Sequence, residues 1–111
     1  LGGRAHHNGI AFDANIGDPV RSAGNGLGKY AGWKPGFGNV VEIDHQNGYV
    51  TVYGHNSAFT VKEGDVVRAG QVVAKAGSTG RSTGPHVHFE VHKDGRPVNP
   101  QAFLSQSKSA P

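Results

Sequence analysis

The 111-residue sequence has no cysteine and no methionine, and only one tryptophan. Without cysteine it can form neither disulfides nor thiolate metal sites, which suits an oxidising envelope compartment. No apolar run approaches the roughly 20 residues that span a bilayer, so this segment carries no membrane span. No basic run is interleaved with aromatics, which argues against nucleic acid as a partner. Hydrophobic residues are only 35% of the chain, enough for one modest core and one domain. The chain opens at Leu1 with no visible signal peptide and reads as a fragment of a longer precursor.

Glycine and histidine are plentiful instead, with 18 and seven residues. Much glycine between short apolar runs suits short strands joined by tight turns, and so an all-β fold. A formal charge of +3, from 11 Lys and Arg against eight Asp and Glu, serves solubility and favours an anionic polymer such as the cell wall.

Residues 9–13 and 19–23 read as extended pieces, followed by a glycine-rich stretch over 24–38. Gly38 to His45 has apolar residues on both faces, and Asn47-Gly48 predicts a two-residue hairpin turn into a strand over 49–53. Residues 61–74 predict paired short strands with glycine at the corners. Gly77 to Gly84 is a loop, His86 to His92 a strand, and Asp94-Gly95 a turn. Residues 99–104 could form one helical turn, which closes a domain over 1–104 and leaves 105–111 as a flexible tail.

The histidines carry the chemistry. In His86-Val87-His88, side chains at i and i+2 share a strand face, so two imidazoles can enter one cleft. A lone H-x-H is weak, but here it follows a loop of small residues able to deliver a strand edge to an open groove. If extended structure begins at His7, positions 7, 9, 11 and 13 share a face, although position 11 is alanine. His55 follows Gly54, which permits a close backbone approach or an unusual φ. His45 and His92 have no supporting pattern and read as solvent-facing strand ends, and His6 has no role.

His7-Asn8-Gly9-Ile10-Ala11, Gly36-Phe37-Gly38-Asn39, Tyr53-Gly54-His55 and Gly77 through His88 occur in the order and spacing of a known pattern. Together they resemble the lysostaphin/LytM family of zinc endopeptidases, which cut peptidoglycan cross-links. The resemblance runs from about residue 7 to the Val98-Asn99-Pro100 segment. It implies a curved antiparallel sheet, a β-sandwich-like barrel of the lysostaphin type, whose groove holds one zinc ion.

By position, the resemblance makes His7 and His88 metal ligands, and His55 and His86 the two non-ligand histidines that assist catalysis. Asn39, Arg81 and Ser82 become candidate substrate contacts. Two histidines and a carboxylate leave zinc an open position for water, whose pKa the metal lowers towards ~7. The carboxylate ligand, however, aligns with Ala11, and a methyl group cannot bind metal. Asp13 shares the strand face but sits about 7 Å further along. Zinc binding is therefore expected to be weakened.

Two explanations of Ala11 compete. In one, an otherwise ordinary enzyme has been inactivated by substitution. In the other, the chain is a naturally degenerate relative that binds and activates a cell-wall amidase. Retention of His7, His55, His86 and His88 favours the first. The expectation is thus a zinc-dependent D,D-endopeptidase domain of the Gram-negative type, impaired by Ala11 and acting on peptidoglycan peptide stems in the periplasm or outside the cell. Other envelope proteins are further candidate partners. A phosphotransfer domain would use histidines without metal and gives the H-x-H loop no purpose. Lipoyl or biotinyl carriage lacks a lysine at a hairpin tip.

Overall fold

The computed structural model of the chain describes residues 9–101. Within that span lie nine strands, β1 (Gly9–Asp13), β2 (Pro19–Arg21), β3 (Gly26–Lys34), β4 (Gly38–Asp44), β5 (Tyr49–Phe59), β6 (Val66–Val67), β7 (Val72–Ala76), β8 (His86–Lys93) and β9 (Arg96–Val98). The main sheet runs β1-β8-β5-β4-β3-β6, with β2 and β7 branching from β5 and β9 flanking β8. Every pairing is antiparallel. The expected all-β antiparallel architecture is what the chain adopts, but the sheet does not close on itself into a barrel.

Alternation decides which face is which. On one side Tyr53 and Phe89 are paired across β5 and β8, as are Thr51 and Val91, and Val41 and Ile43 join them from β4. Val20, Val61, Val67, Val73, Ala74 and Ala76 cover this face and complete the core. The opposite face of β8 carries His86, His88, Glu90 and His92, the i, i+2 set required by a strand.

Several local expectations change. The glycine-rich stretch contains a full strand, β3, because an added Cβ at Gly26 or Gly28 would strike the backbone carbonyls of Asp44 or Lys62. Glycine here serves close approach, which periodicity does not reveal. The hairpin after β4 is longer than a two-residue turn, with positive φ at Gln46 and Gly48 rather than at Asn47. β6 and β7 do not pair with each other; β6 pairs with β3, and β7 with β2 and β5. Pro100 and Gln101 are helical and Asn99 is not, while residues 102–104 of the expected helical turn and the tail 105–111 lie outside the described residues. Among the described residues no helix is long and apolar enough to cross a membrane.

Candidate active site

His55, His86 and His88 line one groove of about 500 Å³ together with Gly9, Ala11, Gly36, Phe37 and Arg81. The His55 and His86 ring centroids are 4.6 Å apart, and those of His55 and His88 6.0 Å. The H-x-H pair arrives from β8 as its spacing implied. His6 and His7 fall outside the described residues.

His55 reaches the groove by a route the sequence hid. It belongs to β5 itself, not to a loop after it, and it carries φ of +66° while Gly54 does not. The strand bulges here, since Asn39 pairs with Asn56 but Val41 pairs with Tyr53. A non-glycine residue in the left-handed region costs about 1–2 kcal/mol, so its surroundings must enforce it. They do so with three hydrogen bonds. The backbone N–H of His55 donates to Phe37 O at 2.7 Å, and the Asn56 side-chain amide donates to Asn39 O at 3.0 Å and Tyr53 O at 2.8 Å.

The partners of the two rings fix their tautomers. His55 Nδ1 lies 2.6 Å from Thr79 O, and a carbonyl only accepts, so Nδ1 carries the proton and Nε2 is bare. His86 Nδ1 lies 2.9 Å from Gly84 O, which imposes the same tautomer. The Ser82 hydroxyl, which donates to Gly84 O at 2.6 Å, is also 3.3 Å from His86 Nδ1. His55 is only 5% exposed. Its burial lowers the imidazole pKa, outweighing the Thr79 hydrogen bond that favours the charged form, so the ring is neutral at neutral pH.

His88 is held differently. Its Nε2 is 2.7 Å from Glu90 Oε2, and the other carboxylate oxygen is 2.8 Å from His92 Nε2. Burial alone would raise the Glu90 pKa, but the hydrogen bonds from His88 and His92 outweigh it and hold the carboxyl below its usual range. The His88 ring packs 5.6 Å from the Phe37 ring. It also lies over Gly9, where a Cβ would sit 2.6 Å from Nε2.

Ala11 is the direct cross-strand partner of His88 and lines the groove. A side chain there would start within about 5.5 Å of the His88 Cβ. Asp13 pairs with His86 instead and lines a separate cavity beside Phe12, Val20 and Phe89. Among the described residues no three His, Asp or Glu side chains are grouped so as to hold a metal ion. Of the residues that the resemblance aligns with metal ligands, His88 lies in the groove, Ala11 offers no donor atom, and His7 lies outside the described residues.

Of the candidate substrate contacts, Arg81 lines the groove and is exposed. Asn39 spends its amide on Asn56 O at 3.1 Å, and Ser82 stands behind His86. Sequence reasoning missed Phe37, Thr79 and Glu90. Glu90 was readable, being two residues beyond His88 on the same strand face, whereas Thr79 acts through its carbonyl and leaves no side-chain signal. His92 and His45 are not idle strand ends. His92 holds Glu90, and His45 bonds Asn25 O at 2.7 Å and Thr51 Oγ1 at 2.8 Å.

Comparison with known proteins agrees with this architecture. DD-carboxypeptidase/endopeptidase Mpg of Neisseria meningitidis is 51% identical over 94 residues, 85% of this chain and 22% of the relative. Murein hydrolase activator EnvC of Escherichia coli is 36% identical over 106 residues, 96% of this chain and 25% of the relative. The chain thus spans about a fifth to a third of the length of the curated relatives it matches. Among solved structures, a zinc-containing peptidase from Vibrio cholerae superposes with a TM-score of 0.80 at 46% identity, covering 84% of this chain and 29% of that one. The catalytic domain of lysostaphin from Staphylococcus simulans gives 0.84 at 38% identity, covering 89% and 79%. Peptidase family M23 matches residues 5–100, nearly the whole sequence, and the chain belongs to that family.

Proposed function

We propose that this domain is a peptidoglycan endopeptidase, of the type that opens D,D cross-links, whose activity is impaired because Ala11 stands where the metal-binding carboxylate belongs. The observation that carries the reading is the groove itself. Three imidazoles are held in it by specific backbone and side-chain partners, and Ala11, which cannot ligate, faces one of them, His88, across the strand pair. A buried, neutral imidazole in the left-handed region is costly to maintain without a use for it. The likeness to a DD-carboxypeptidase/endopeptidase points the same way. Peptide stems of peptidoglycan are the substrate class, and the cell envelope, periplasmic or extracellular, is the place of action.

The residues divide the proton work. His55 Nε2, bare and desolvated, accepts the proton of a water attacking the scissile carbonyl. His86, also bare at Nε2 but less buried, receives a proton and delivers it to the leaving amine. Arg81 at the rim binds a carboxylate of the peptide stem. His7 and His88 are the proposed metal ligands, and zinc is the proposed metal, bound weakly while position 11 is alanine.

A second reading has one observation in its favour, the likeness to a murein hydrolase activator. In it, the groove binds and activates a cell-wall amidase without cleaving anything. Digestion of purified peptidoglycan by the Ala11→Asp form, with and without a chelator, separates the two. Chelator-sensitive release of uncross-linked muropeptides supports the endopeptidase. No release, together with stimulation of an envelope amidase by the unmodified chain, supports the activator.

A further inference from the structure

The groove's three histidines do not present the same nitrogen, and the difference has a cause two and four residues further along β8. We propose that Glu90, braced by His92, is a positioning residue that locks His88 in the opposite tautomer to His55 and His86 and so selects Nδ1 as the atom His88 offers to a metal. For its metal consequence this rests on the endopeptidase reading; for the tautomer it does not.

A carboxylate without its proton has only acceptor sites, so each imidazole nitrogen that meets Glu90 must donate. His88 Nε2 therefore carries its proton towards Oε2 at 2.7 Å, and His92 Nε2 donates to Oε1 at 2.8 Å. Both carboxylate oxygens are thereby engaged, and rotation of the carboxylate would sacrifice one bond or the other. The Glu90 side chain is only 13% exposed, so water is a poor substitute for either partner. The His88 ring has little freedom to turn over, since Phe37 faces it and its Nε2 edge sits against Gly9. What remains is Nδ1, which has no hydrogen-bond partner among the described residues. A metal-binding imidazole needs a bare nitrogen held in one orientation, and a carboxylate on the far nitrogen supplies both.

His92 has a distinct part. It lies on the same strand face as Glu90 and makes no direct contribution to the groove, yet it ties down the oxygen that His88 does not use. Loss of His92 frees the carboxylate to swing while leaving its charge in place. Loss of the carboxylate removes the acceptor itself.

The test begins with the unmodified chain, so it does not depend on any variant folding. Long-range ¹H–¹⁵N correlation of histidine-labelled protein at about pH 8, where imidazoles are mainly neutral, should show His88 as the Nε2–H form and His55 and His86 as Nδ1–H forms. If His88 is the Nδ1–H form, the proposal is overturned. Glu90→Gln offers one acceptor where two donors compete, so His88 should become a mixture of tautomers, and His92→Ala should shift it less. Glu90→Asp keeps the carboxylate and should preserve more of the Nε2–H form than Glu90→Gln does. In the Ala11→Asp background, Glu90→Gln should weaken zinc binding roughly 10–100-fold, measured by competition with a chromophoric chelator. Unchanged tautomer and zinc affinity in Glu90→Gln would sink the idea. If the Ala11→Asp form binds no zinc while the tautomer pattern is as stated, the metal reading fails and the positioning role of Glu90 stands.

Discussion

Gly36 and Gly38 both have positive φ, at +84° and +68°, and both adjoin Phe37, whose carbonyl accepts the His55 N–H. Replacing each by alanine separates backbone strain from packing. At Gly36 an added Cβ meets nothing within 4 Å, so the cost is the left-handed penalty alone, about 1–2 kcal/mol. At Gly38 the Cβ would lie 2.5 Å from Gly80 N and 2.5 Å from Thr79 Oγ1, as well as against the Thr79 carbonyl carbon. Backbone atoms cannot move aside by changing rotamer, and such overpacking adds roughly 1–3 kcal/mol. Gly38→Ala should therefore lose about 2–5 kcal/mol in all. At about 4–8 °C per kcal/mol for a small domain, that is a fall in Tm of about 8–40 °C, against about 4–16 °C for Gly36→Ala. The displaced loop also carries Thr79 O, so the His55 Nδ1–H resonance should change in Gly38→Ala and stay put in Gly36→Ala. Urea denaturation of the two variants side by side is the assay. Losses that agree within about 0.5 kcal/mol would refute the claim that the Gly38–Thr79–Gly80 contact seats the site.

Asn56→Ala should cost about 2–4 kcal/mol, because it leaves the carbonyls of Asn39 and Tyr53 without their donors inside the bulge; thermal denaturation checks it. Tyr53→Phe strands the Ala23 N–H and breaks the hydroxyl bond to Thr51, with an expected loss of roughly 1–3 kcal/mol by the same measurement. The His55 pKa is lowered from its ordinary value of 6.5, so the unfolded chain takes up that proton first. The resulting stability is complete above 6.5 and is lost as pH falls below it, and a pH series of urea midpoints should be shallower for His55→Gln than for the unmodified chain. In the Ala11→Asp background, Arg81→Ala should raise KM several-fold with little change in kcat, read from initial rates on a cross-linked muropeptide.

The parts of the fold legible in the sequence were those where one strand's own pattern suffices. The in-face pair His86 and His88 and the apolar Val40-Val41 segment needed no partner to be read. Strand β3 was illegible because Gly26 and Gly28 answer to carbonyls of Asp44 and Lys62, which are remote in sequence. His55 was recognised by residue type, but its position within a bulged strand depends on Phe37 and Asn39, which are remote in sequence, and on the carbonyl of Asn39 that the neighbouring Asn56 reaches only in the folded sheet. Thr79 acts through a backbone carbonyl that any residue would possess, so only its place in the folded loop reveals it. The role of His92 was missed for the opposite reason. Its partner Glu90 is two residues away on the same face, but a histidine at a strand end beside a turn reads as solvent-facing until Glu90 is found to bridge it to His88.

Zinc titration of the unmodified chain and its Ala11→Asp form, followed by calorimetry, tests the central claim most directly. Position 11 faces His88 across the strand pair, so the added carboxylate should join the proposed ligands His7 and His88 and bind zinc stoichiometrically. Loss of a supporting residue alone costs roughly 10–100-fold in metal affinity, and a missing ligand should cost more than that. The account predicts zinc binding by the Ala11→Asp form at least about 100-fold tighter than by the unmodified chain. Equal affinity in the two forms would contradict it, and would mean that Ala11 is not the missing ligand position.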